Sequence, residues 1–185
     1  MQPKGLSGVL DRWAQSLLEE IHTISIGKIV SYSGHKTRRA QVLPLVNPWL
    51  ATGEVLRHKP IDNVPVVFPS TSTSGMILPV KSGDFVLLLF AENGIGGILD
   101  SKSADPVDAD GVTRFSYTDC IAVPGLWPFQ QVFDAEIPDG AVGLFNGKTK
   151  VVLTDKDFSM IDGNGNTIES SGSKITINGN LEVSQ

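Results

Sequence analysis

The chain has 185 residues, 41% hydrophobic and 19% charged, so a folded core is expected and wholesale disorder is excluded. Its net charge of −5 argues against a surface that tracks nucleic-acid phosphates. The one cysteine, Cys120, rules out an intrachain disulfide; it sits in an apolar run, DCIAVPGL, and reads as a small buried hydrophobe.

The amino-terminal residues, MQPKGLSGVLDRW, hold no uninterrupted apolar stretch, so no signal peptide is expected. No run of about 18 apolar residues offers a transmembrane helix. Residues 1–23 are expected to form an amphipathic helix. Leu6, Val9, Leu10, Trp13, Leu17 and Ile21 recur at three- and four-residue steps, with Ser7 as the expected N-cap. Val9, Leu10, Trp13, Leu17 and Ile21 make a docking face, either for the helix's own domain or for a neighbouring subunit.

Residues 24–123 read as one compact β domain. Expected strands are Ser25–Tyr32, Arg39–Val46, Val64–Phe68, Phe85–Phe90 and Thr118–Val123, with a strand extension at Ile95–Leu99. Pro44 implies an edge, a bulge or a strand end. Asn47–Asp62 reads as a polar connection, PSTSTSG as a low-complexity loop and Asp100–Gly111 as an acidic loop. FVLLLF, at 85–90, is apolar throughout and predicts a central strand covered on both sides. Few helices and unevenly spaced strands fit a small Greek-key barrel of OB type, with a sandwich as the alternative. Residues 124–140 hold Trp127, Phe129 and Phe133 among prolines and read as a neck.

Residues 141–185 are short alternating stretches broken by Gly, Asn and Asp. Ile175, Ile177, Gly179, Leu181 and Val183 fall on one face of a continuous period-2 strand. A bend at Gly179 keeps that face apolar, as in a wound or intertwined β-structure. A two-residue turn at Asn178-Gly179 is the alternative, and it would split the apolar set between two faces.

Three stretches together resemble the central, membrane-puncturing spike proteins of contractile phage tails and related particles. They are LEEIHTISIGKIVSYS, then IDNVPVVFPSTSTSGMILPVKSGDFVLLLFAE, then TDCIAVPGLWP. The resemblance implies an OB-fold barrel followed by a trimeric β-helix or β-prism needle over 141–185. It implies a homotrimer in a tail baseplate that helps pierce the host envelope when the sheath contracts. Tail tube or hub proteins would meet the amino-terminal side, and contact with the outer membrane would be transient. A virion location follows, with synthesis in the host cytoplasm. In such a trimer two further chains would cover Val151, Leu153, Phe158, Met160, Ile175, Ile177, Leu181 and Val183.

Many spikes of that family carry a His-x-His apex that binds iron. Here the histidines are His22, His35 and His58, none spaced by two. No metal or cofactor is therefore expected, and a separate tip protein is expected at the carboxy-terminal end.

The remaining motifs carry less. DGNGN at 162–166 resembles the start of an EF-hand loop, but Thr167 and Ser173 stand where Gly and Glu are needed, so a polar turn is expected. Asp155 and Asp157 are assigned to a turn. Lys36, Arg38 and Arg39 read as a solvated turn. Glu54, Asp62, Glu92 and Asp100 offer no selected glycosidase pair, and no G-x-S-x-G context exists. The expectation is a structural protein with no catalytic residues and no nucleic-acid partner. The alternatives are an OB protein that binds single-stranded nucleic acid, and a tail protein that binds or cleaves glycans.

Overall fold

The computed structural model describes residues 5–19, 21–49, 53–102, 105–109, 111, 114–128 and 136–180. The chain divides into two compact units, Met1–Pro128 and Phe129–Gln185. The protein is mainly β, and among the described residues no helix is long and apolar enough to cross a membrane.

The first unit opens with helix α1, Leu6–Glu19. The carbonyl of Gly5 accepts from the amide of Val9, so Gly5, not Ser7, begins the helix and Ser7 lies inside its first turn. Five strands follow: β1 Ile24–Tyr32, β2 Arg39–Pro44, β3 Ile61–Pro65, β4 Phe85–Phe90 and β5 Cys120–Pro124. They form one curled sheet in the order β3-β2-β1-β4-β5, antiparallel at each step. Register shifts between Ile29 and Ser31, and between Ala40 and Val42, bend the strands as bulges do. The two outer strands then meet. Val66, just beyond β3, bridges Ala122 in parallel, and the amide of Val67 donates to the Ala122 carbonyl at 2.9 Å.

The core lies inside this curl: Ile29, Val42, Val64, Val66, Phe68, Val86, Leu88, Cys120 and Ala122 are buried. Alternation sets it. In β2, Ala40, Val42 and Pro44 point inward and Arg39, Gln41 and Leu43 are half-exposed. Gly27 is required by close approach, since a Cβ there would stand 2.5 Å from Cγ1 of Val42.

Three expectations are corrected here. Ile95–Leu99 is not a strand: Gly96–Asp100 forms a short helix, α2, following the turn that leaves β4. FVLLLF is not covered on both sides. Val86 and Leu88 are fully buried, while Phe85, Leu87 and Leu89 are half-buried, because a curled sheet has one interior face. The connection expected to run to Asp62 ends earlier, since Ile61 and Asp62 already belong to β3.

The second unit is an antiparallel meander: β6 Val142–Asn146, β7 Thr149–Leu153, β8 Phe158–Ile161, β9 Thr167–Ser171 and β10 Lys174–Asn178. Gly147 and Gly172, at φ 60° and 59°, make the tight turns into β7 and β10. The DGNGN segment is a polar turn tied by its own aspartate. Asp162 Oδ1 accepts from the amides of Asn164 and Asn166 at 2.8 and 2.9 Å. Thr154 and Asp157 close the turn between β7 and β8, where the Thr154 amide donates to the Asp157 carbonyl. Leu181 and Val183 lie outside the described residues, as do Phe129 and Phe133 of the neck.

Candidate functional site

Side chains directly opposite each other in an antiparallel ladder share a face, and so do residues two apart along a strand. These two rules place one set of residues across the whole meander. Leu144 faces Val151, Val151 faces Met160, Met160 faces Ile168, and Ile168 faces Ile177. This apolar row crosses all five strands, β6 to β10. A second row runs Val142, Leu153, Phe158 on one side and Ile175 opposite Ser170 on the other.

Little of this face is covered within one chain. Val142 is 65% exposed, Ile175 68% and Ile177 49%. Leu144, Leu153, Met160 and Ile168 are also exposed, while Val151 and Phe158 are half-buried. Val151, Met160, Ile168 and Ile177 line a concavity on it.

The opposite face is treated differently. Val152 is buried there, and the Ile137 side chain packs so closely over Gly143 that a Cβ at that position would stand 2.6 Å from it. Lys150 donates to Glu136 Oε2 at 2.8 Å, and this hydrogen bond, with the lysine charge, holds the Glu136 carboxyl below the usual range. That face also carries exposed Phe145 and half-buried Ile161, in one row with Lys150 and Thr167, and the polar residues Ser159, Glu169, Lys174, Thr176 and Asn178. One face is thus mainly polar, with Phe145, Val152 and Ile161 among its residues and local cover from residues 136–137, and the other is apolar and open.

Of the residues expected in a needle core, Val151, Leu153, Phe158, Met160, Ile175 and Ile177 share this open face. Sequence reasoning missed Val142, Leu144 and Ile168. Their alternation within VGLFN and TIESS was visible, but their partners across the ladders were not.

In the first unit, Val9, Leu10, Trp13, Leu17 and Ile21 are all exposed in the single chain. The basic cluster is folded into its own turn, with Arg38 at φ 52° and its Nε donating to the His35 carbonyl at 3.3 Å. The four surface carboxylates have ordinary surroundings. Asp62 accepts from Gln41 at 2.6 Å, Glu92 lies 3.4 Å from Arg114, and Glu54 and Asp100 are exposed. Burial pushes the Cys120 thiol up to about 12, so it is an inert packing group. Among the described residues, no group of three or more His, Cys, Asp or Glu side chains converges as metal ligands would.

The phage protein family described as Gp138 N-terminal domain matches residues 26–125. The match runs from β1 to just beyond β5 and so covers the curled sheet. No curated protein matches the chain.

Proposed function

The chain belongs to the phage protein Gp138 N-terminal domain family, and from that premise we propose that it is the central spike of a contractile tail baseplate. It acts as a homotrimer, with an OB-type barrel in each chain and the three second units joined into a needle. Sheath contraction drives that needle through the host outer membrane. The protein is part of the virion, and its work is transmission of force, not turnover of a substrate.

The observation that carries this reading is the open apolar face of β6–β10. Rows that run from edge to edge of a sheet make a surface that a prism of three sheets would bury. Carrying one such half-exposed side chain into a core is worth about 1 kcal/mol, and nine of them lie on the face in each chain. A small meander with one bare face is marginal on its own.

The first unit supports the same reading. The strand order β3-β2-β1-β4-β5, with the parallel Val66–Ala122 bridge between its two ends, supports reading the curled sheet as an OB-type barrel. β1 begins beside the end of β4 and the start of β5, so α1 enters the barrel at one end and the chain leaves β5 at the other. The exposed α1 stripe suits a tail tube or hub protein. A separate tip protein caps the carboxy-terminal end.

Gold labelling of the amino terminus in purified particles tests the assignment. The label should lie at the baseplate, on its tube side. A label at the distal tip, or no label on particles, contradicts it.

A further inference from the structure

The outside of the barrel wall has two unlike halves. Ile24 faces Leu89 across the β1–β4 ladder, and Leu89 faces Ile121 across the β4–β5 ladder. In the next row on the same side, Ile26 faces Leu87 and Leu87 faces Val123. Both rows lie outside, because the residues that alternate with them, such as Gly27, Val86, Leu88 and Ala122, are buried within the curl. Ile24 is 64% exposed, and the other five side chains of the two rows are half-buried. Lys28, opposite Phe85, comes one step further along. Around β2 and β3 the same wall is polar. Arg39 and Gln41 stand outward on β2, Asp62 and Asn63 are exposed on β3, and Gln41 donates to Asp62 at 2.6 Å.

A wall that is apolar over β1, β4 and β5 and polar over β2 and β3 is unsuited to a barrel with water on every side. Lys28 adds a second observation. It is half-buried, and among the described residues it has no ion-pair or hydrogen-bond partner. A partner that covers this half must meet that charge with a carboxylate. This chain, at −5, is rich in carboxylates.

We propose that the outer face of β1, β4 and β5 packs against a second copy of this chain, so that the three barrels of the trimer turn this half of the wall to their common axis and the β2–β3 half to water. The inference rests on the trimeric reading above. In a closed ring every copy presents the same sides to its neighbours, so one apolar half and one polar half are what each barrel needs. The contact also accounts for FVLLLF. Its inner residues fill the barrel, and Phe85, Leu87 and Leu89 fill the space between barrels. Since most of these side chains are half-buried already, they have less area left to cover than those of the meander. The wall therefore orients the barrels, and it is not by itself what holds three chains together.

Pulsed electron resonance between spin labels on the full chain tests this. Cys120 is buried and inert, so only an added cysteine takes the label. Ile24→Cys carries it on the apolar half and Asp62→Cys on the polar half. The distance between copies should be shorter for Ile24→Cys by about 10 Å or more, since packed sheet walls stand about 10 Å apart. A label at Ile24→Cys that blocks assembly, when one at Asp62→Cys does not, supports the same contact. Equal distances, or the shorter distance at Asp62→Cys, overturn the proposal and leave the trimer standing. No distance from either label, with a single-chain mass for the unmodified protein, overturns the trimer and the proposal with it.

Discussion

Met160 and Ile168 lie directly opposite each other on β8 and β9, and Ile168 lies opposite Ile177 on β10. Three apolar side chains on three strands thus make one side of a row, and all three are exposed. Ile177→Asp should place one carboxylate per chain in the buried layer of the proposed trimer. An unpaired charge in such a layer costs several kcal/mol, so trimer yield should collapse. Asn178→Asp, one residue on and on the other face, should assemble normally. Size-exclusion profiles of the two variants side by side check this.

Gly27 tests the barrel. Its missing Cβ leaves room for Val42 Cγ1, which would otherwise be 2.5 Å away, and for Leu88 Cδ1 at 3.1 Å. Gly27→Ala should overpack the core and cost about 1–3 kcal/mol. Adding Val42→Ala should recover part of that loss, so the double variant falls short of additivity. Thermal melts of the single and double variants decide the matter.

The turn between β8 and β9 should be sensitive to acid. The Asn166 side chain, then its amide, and then Asn164 hold the Asp162 carboxyl below its ordinary value. Stabilisation of the turn is therefore full above the ordinary aspartate value of about 3.9 and is lost as pH falls through the lowered one. Amide NMR should show Asn164 and Asn166 losing protection at acid pH, once rates are corrected for the intrinsic effect of pH, and Asp162→Ala should lose the same protection at neutral pH.

Helix α1 separates folding from assembly. Trp13 is 63% exposed, so Trp13→Glu should change barrel stability by no more than about 0.5 kcal/mol. It should nevertheless reduce incorporation into particles, as measured by immunoblot of purified tails. Normal incorporation would mean that this stripe is not the face that meets the tail.

What could be read from the sequence followed local periodicity. The spacing of Leu6, Val9, Leu10, Trp13 and Leu17 specifies a helix, and the alternation in RAQVLP specifies which residues of β2 point inward. Long-range pairing was less legible. FVLLLF looks the same whether both its faces or only one is buried, and the outcome depends on the curl made by bulges in β1 and β2. The GGILD segment becomes helix α2 although its apolar residues alternate with nothing in particular. In the meander, Val142, Leu144 and Ile168 joined the open face only once register tied them to Val151, Met160 and Ile177. A lone strand does not reveal its partners.

Native mass spectrometry of the full chain tests the central claim most directly. The account predicts one species at three times the 19.8 kDa chain mass, and loss of that species when residues after Gly140 are removed. A monomer or a dimer from the intact chain, or an equally stable trimer without the meander, would contradict it.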